Sequence, residues 1–263
     1  MAETNTVRIR AEDGNIIELE VHDSLPSAAA LARQYAIDGY PDRYAVFCEK
    51  QSDIALLTGE KHYAPTEGVF LSLILRPSLF LSQSGFLGIL AATALASALE
   101  EHAGKNLGIA WLSDIYSEHG KIGSVAIEGK LDSLSFYEYI IVHFAVRTGE
   151  EDFPARLDDL LRKVFESENT SVHMIMAKTI LTHFFRYYPD LKTPEAFLDA
   201  YKDKFFLRGM RIRFLQDGKK HRAKVLGIEN ATGMLLLEHK GKTVKITSPK
   251  QIFLPRNFRY KLK

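Results

Sequence analysis

The residues best suited to chemistry fall in one stretch, Ala110-Trp-Leu-Ser-Asp-Ile-Tyr-Ser-Glu-His-Gly-Lys-Ile-Gly-Ser-Val-Ala-Ile-Glu128. It reads as the end of one strand, a turn at Glu118-His119-Gly120, and a second strand from Lys121. Three side chains stand out. Lys121, at a strand start, supplies a point positive charge. Asp114 beside a turn can cap it. Trp111 is the chain's single Trp and is apolar on its inner side, which suits core packing or stacking on a flat ring. Other reactive types read as structure. Cys48 is alone on the apolar run Tyr44-Ala-Val-Phe-Cys48 and reads as a core residue. His102, His173 and His183 lie on helical patterns without paired metal-ligand spacing, and His143 is a core histidine on an inner strand, so no metal site is expected. Gly85-Phe-Leu-Gly88 is not a phosphate loop, because no Lys-Ser/Thr follows.

The elements that must position these side chains follow from periodicity. Val7–Arg10 and Ile16–Val21 alternate apolar with polar around Asp13-Gly14, a hairpin signal. Asp23 or Ser24 is expected to cap a short Ala-rich helix ending near Ile37. Tyr44–Cys48 and Val69–Leu75 read as strands, the second buried on both faces. Leu81–His102 reads as one long helix. Gly108–Trp111, Ile122–Glu128 and Tyr137–Val146 are further strands. Phe153–Glu168, Val172–Tyr188 and Pro194–Lys202 read as helices punctuated by Pro189 and Pro194. From Met210 the period becomes two. Met210–Leu215, Arg222–Ile228, Met234–His239 and Lys242–Ile246 are short strands separated by Asp217-Gly218, Thr232-Gly233 and Lys240-Gly241, a small-barrel pattern.

Composition bounds the function classes. The chain has 263 residues, 46% hydrophobic and 25% charged, enough for one large domain and a small one. Its start lacks the order of a signal peptide, and its longest apolar run, Phe86–Leu99, is interrupted and too short to span a bilayer, so no membrane association is expected. One cysteine precludes an internal disulfide and fits a reducing cytoplasm. The net charge of +1 conceals an asymmetry: from Lys204 onward sixteen Lys and Arg meet three Asp and Glu, while the rest holds eighteen basic and thirty acidic residues.

From about Glu20 to Leu254 the order of elements resembles a biotin protein ligase without a DNA-binding extension. Gly227-Ile-Glu-Asn-Ala-Thr-Gly-Met-Leu-Leu-Leu-Glu238 is similar to the family's "G-I-D-x-x-G-x-L-L-L-E" segment, and Val69-Phe-Leu-Ser72 to its strand after the ligand loop. The resemblance implies an α+β fold: a mixed central sheet flanked by helices, like lipoate ligases and class II synthetases, over residues 1–204 (with an N-terminal hairpin over 1–22), then an SH3-like β-barrel over 205–263. It implies biotin and ATP with Mg as ligands and a biotin carrier-type protein as acceptor, and it admits a homodimer. No helix-turn-helix precedes the main domain, so DNA binding through one is not expected.

Site residues carried over by the resemblance are partial. The family's "K-W-P-N-D" becomes Ala110-Trp-Leu-Ser-Asp114, keeping Trp111 and Asp114. Lys121 matches the lysine of "K-x-x-G", which contacts carboxylate and phosphate in the family, with Gly123 near its glycine. Ser24 stands at the biotin-side "S-T-N", and Gln51 at the glutamine before the adenylate loop. That loop, "G-R-G-R-x-G-R-x-W", places arginine forks on the phosphates. Here its arginine positions fall on Ala55, Leu57 and Glu60. Gly59 remains, His62 replaces the Trp, and Lys61 and His62 supply the residual positive character. The "G-x-G-I-N" strand becomes Val142-His-Phe-Ala-Val146, where Phe144 is expected to fill ligand space. The resemblance with these losses implies a ligase-like protein degenerate in ATP-dependent activation. The alternative is a divergent ligase or acyltransferase with Lys121 as its catalytic residue. A third reading is an adaptor whose basic barrel, with Phe205, Phe206, Phe253, Phe258 and Tyr260, meets an acidic partner or nucleic acid.

Overall fold

The structure is a computed structural model that describes residues 5–52, 67–103, 106–148 and 171–254. The expected helix over 153–168 and the adenylate-loop positions, with Gly59, Lys61 and His62, lie outside the described residues.

Strands β1 (Asn5–Arg10) and β2 (Ile16–Leu25) form the expected hairpin, with Gly14 at φ 81 in its turn. Helix α1 (Ala28–Ile37) then crosses to β3 (Tyr44–Gln51), which runs parallel to β2. The cap of α1 is Ser27, whose Oγ accepts from the Ala30 N–H, not Asp23 or Ser24. Those two belong to β2, because pairing with β3 continues through Leu25 opposite Gln51 and holds the backbone extended up to Pro26. β4 (Glu67–Leu75) is buried along almost its whole length, as its apolar run requires.

The expected single helix from Leu81 is two pieces. Leu81–Phe86 is a 3-10 turn, and α2 (Leu87–Ala103) follows. Ser84 turns its Oγ onto the Leu81 carbonyl, and Ser and Gly are weak helix formers, so the tighter turn holds there. α2 is buried on nearly every side, consistent with its Ala-rich, uniformly apolar sequence.

β5 (Gly108–Ala110), β6 (Asp114–Ser117), β7 (Gly120–Leu131) and β8 (Tyr137–Arg147) complete the first sheet. The segment 108–117, expected as one strand end, is two strands split by a turn at Trp111–Ser113, and a cis peptide joins Trp111 to Leu112. Among the described residues the sheet has eight strands in the order β1-β2-β3-β4-β8-β7-β6-β5, mixed because only β2 and β3 run parallel.

The sheet has two unlike faces. On one, α2, α3 (Val172–Tyr187) and α4 (Glu195–Lys204) bury the main core with Leu71, Leu73, Val142, Phe144 and Val146. Leu95 and Leu99 of α2 are fully buried there, each stabilising by about 1.5–3 kcal/mol. On the other face, among the described residues, α1 packs its Ala28, Ala32 and Ala36 over Val46, Cys48, Phe70, Ile74 and Ile141.

The C-terminal residues form a second, wholly antiparallel sheet. It contains β9 (Arg211–Gln216), β10 (Lys219–Ile228), β11 (Leu235–His239), β12 (Lys242–Ile246) and β13 (Ile252–Phe253), in the order β12-β11-β10-β9-β13. Two-residue β13, set against β9 after a 3-10 turn capped by Ser248, is an addition to the four expected strands. The second sheet is anchored on the first body: the Trp111 indole N–H donates to the Gly233 carbonyl at 3.1 Å, and Phe206 stacks edge-on against Tyr116.

Candidate functional site

Cross-strand register places the site. Cys48, Phe70, Ala145, Ser124 and Asp114 are direct neighbours on β3, β4, β8, β7 and β6 and share one face. That row spans four strand spacings, about 19 Å at ~4.8 Å each. α1 covers its Cys48–Phe70 end. Beyond α1 the row continues in short side chains, Ala145 and Ser124, both half-buried, and ends at Asp114. The result is a low floor with a helix wall on one side.

The far edge carries an ion pair. A register shift at Ile115/Tyr116 sets Lys121 opposite Tyr116, and Lys121 Nζ lies 2.9 Å from Asp114 Oδ1. The side chains are 22% and 35% exposed, so the pair remains within reach of a ligand. The turn at Glu118–Gly120 and the bulge together fold these two residues, seven apart in sequence, onto each other.

The helix wall is held at several points. Gln51 Oε1 accepts from the Ala28 N–H at 2.9 Å, which satisfies one of the unpaired donors of the first turn of α1. Arg33 of α1 reaches Glu128 of β7 at 2.8 Å. Arg76 donates from Nη2 to the Ala36 carbonyl at 2.7 Å, closing the other end of the helix. Ser24 is exposed at the end of β2, one residue from the Leu25–Gln51 register pair.

On the same face, in the next rows along the strands, runs a buried polar chain. Ser72 Oγ lies 2.9 Å from His143 Nδ1, and His143 Nε2 lies 3.1 Å from Glu128 Oε1. Burial holds the His143 imidazole below its ordinary pKa, and the ring is only 5% exposed. A carboxylate only accepts, so the single ring proton sits on Nε2 and the Ser72 hydroxyl donates to Nδ1. Burial pushes the Glu128 carboxyl up, but the hydrogen bonds from His143 and Arg33 outweigh it and leave the group lowered. His143 is thus the satisfied core histidine that its strand position suggests. The residues of this chain are 71 and 15 apart in sequence, so no local pattern could reveal them.

The remaining expected positions divide between the faces. Gly123 points to α2: a Cβ there would meet Leu99 Cδ1 at 3.3 Å and Leu95 Cδ2 at 3.4 Å. Trp111 is 4% exposed and committed to Gly233. Phe144 does not fill the floor. It points into the opposite core, with its ring edge-on to Phe184 at 6.0 Å, because alternation puts Ala145 on the site face. The structure therefore brings Asp114 and Lys121 together and sets Ser24 and Gln51 at the helix end. A second cluster was not anticipated. Thr148 Oγ1 lies 2.8 Å from His173 Nε2, His173 Nδ1 lies 3.3 Å from Glu49 Oε2, and Ser171, the α3 cap, donates to Glu49. It ties the start of α3 to β3 and β8. Among the described residues no group of three His, Cys, Asp or Glu could hold a metal ion, and no helix is long and apolar enough to cross a membrane.

Comparison with known proteins agrees with this architecture. No family model matches the chain. The bifunctional ligase/repressor BirA of Bacillus subtilis is 29% identical over 86% of this chain and 71% of its own length, and that of Bacillus spizizenii is 28% identical over the same shares. Among solved structures, the biotin protein ligase from Aquifex aeolicus in complex with biotin and ATP superposes with a TM-score of 0.66, covering 91% of this chain and 99% of that one at 18% identity. A biotin protein ligase-like protein of unknown function from Silicibacter gives 0.59 at 14% identity, covering 88% and 94%. Motif order, mixed-sheet topology and these likenesses converge: the chain is similar in sequence to the BirA ligase/repressors and shares the biotin protein ligase fold.

Proposed function

We propose that this chain is a ligand- or acceptor-binding member of the family in which ATP-dependent activation of biotin has been lost. The observation that carries the reading is the floor of Ala145 and Ser124 ending at the Asp114–Lys121 pair. Small side chains leave room for a flat ligand against the sheet, and the lysine at the edge can meet a carboxylate. Biotin, named with the Aquifex ligase, suits that chemistry. ATP does not. Bringing a carboxylate against an α-phosphate requires several positive groups aimed at the pentavalent phosphorus. The arginine positions of the adenylate loop hold Ala55, Leu57 and Glu60, and the lysine and asparagine flanking Trp111 are Ala110 and Ser113. Lys121, already paired with Asp114, together with the point charges of Lys61 and His62 in place of three arginine forks, leaves that repulsion unmet.

A thermal-shift panel tests the reading. Biotin or lipoate should raise the melting temperature with a concentration dependence set by mass action, and ATP should add nothing. Incubation with biotin, ATP and Mg should give no biotinyl-AMP by mass spectrometry; its formation would refute the proposal. The second reading, a divergent acyltransferase, rests on the same ion pair, since Lys121 could orient an activated acyl group for a carrier-protein lysine. It predicts acyl transfer that Lys121→Ala abolishes.

A further inference from the structure

The second sheet has an outer face whose charge the described residues leave unbalanced. Ile212, Phe214, Ala223, Val225, Leu235 and Leu237 point inward, which turns Arg211, Arg213, Lys220, Arg222 and Lys224 outward. Register then sets like charges directly opposite: Arg213 faces Arg222, and Arg211 faces Lys224. Opposed like charges on one sheet face are destabilising. Lys220 lies over the Phe253 ring at 4.4 Å, and Phe253 neighbours Arg213 in register. The only acid in register with these cations is Glu238, opposite Lys224. Among the described residues none of the five cations forms an ion pair, whereas Lys245 on the far strand does, with Glu229.

We infer that this outer face binds the phosphodiester backbone of nucleic acid, without reading its sequence. Three arginine forks on two adjacent strands suit phosphate oxygens. Their spacing requires a line of negative charge, which a phosphate chain provides at every nucleotide. A protein partner would need apolar anchors at its centre; here the Arg213–Arg222 and Arg211–Lys224 pairs hold the centre, and the apolar side chains Leu215, Leu226 and Phe253 lie around them. Phe205 and Phe206 are not part of this face. Phe205 is buried and stacked on Tyr201, and Phe206 packs on Tyr116, so both join the sheet to the main body. The inference stands apart from the ligase-like reading, because it uses none of the residues of that site.

The test uses the full chain and fluorescein-labelled 20-mers, one single-stranded RNA and one DNA duplex, by fluorescence anisotropy across a salt series. Binding to either should weaken linearly in log–log form as salt rises, and Arg213→Glu should lower the slope by about one to two. Arg222→Glu should cut affinity at least tenfold at about 0.1 M salt. It also places a carboxylate opposite Arg213, so its melting temperature should hold or rise, which separates lost binding from lost folding. Lys192→Glu, remote and exposed, should leave binding unchanged. Failure of both oligonucleotides to bind, binding insensitive to salt, or binding by the Arg222 and Arg213 variants equal to that of the wild type would each overturn the inference. So would binding of poly-glutamate to this face while neither oligonucleotide binds.

Discussion

Trp111→Phe tests how the two sheets are joined. The substitution keeps an aromatic ring in the turn after β5 but removes the indole N–H that reaches the Gly233 carbonyl at 3.1 Å. That carbonyl would be left buried without its donor, at a cost of about 1–3 kcal/mol. The smaller ring also leaves a void of about a methyl group or more, worth about a further 1 kcal/mol. The sum is roughly 2–4 kcal/mol, and at about 2–4 °C per kcal/mol for a chain of this size the melting temperature should fall by roughly 4–16 °C. Differential scanning calorimetry measures the fall. Because Trp111 is the only tryptophan and is 4% exposed, native emission should lie at the wavelength of a buried indole and shift red only on unfolding. A melting temperature within about 1 °C of wild type, or native emission already like that of a solvated indole, would refute the junction as described.

Four further outcomes follow. His143 and His102 both have folded-state pKa values lowered by burial, so protons bind preferentially to the unfolded chain: stability is full above the ordinary value near 6.5 and declines as pH falls through it. Urea midpoints should therefore drop between about pH 7.5 and 5.5, and His143→Gln should flatten that drop. Burial pushes the Cys48 thiol up to about 12, so it should resist thiol reagents at pH 8 until the chain is denatured. Gly68→Ala should cost about 3 kcal/mol or more, since its Cβ would sit 2.0 Å from the Val146 carbonyl oxygen at φ +149; a soluble variant melting like wild type would contradict the β4–β8 register. Ala145→Phe should abolish any thermal shift by biotin while leaving the fold intact by circular dichroism, and retained binding would displace the site from this face.

Much of the fold was legible because the signals were local. Alternation marked the hairpin and the strands after Met210, and the apolar run at Val69–Leu75 marked a strand buried on both faces. What escaped depended on partners distant in sequence. The turn at Trp111–Ser113 contains neither Gly nor Pro, so the break between β5 and β6 carried no marker. Ser27 caps α1 because β2 stays paired through Leu25, a fact about β3 rather than about Ser24. Family motifs located Asp114 and Lys121 but not their contact, which needs the bulge at Ile115/Tyr116. The same limit hid which of Phe144 and Ala145 faces the site, since one residue of register decides it.

The bonds that fix α1 make it the stationary jaw of the site. Gln51 holds its first turn, Arg76 its last carbonyls and Arg33 its middle, so the helix has little freedom to retreat from a bulkier guest. Adjustment to ligand size must then come from the opposite side, through side-chain volume at Ser124 and Ala145. On the proposed function, ligand preference would accordingly be concentrated in two small residues. A phenotype at Gln51 would report a slackened jaw before it reported a lost ligand contact.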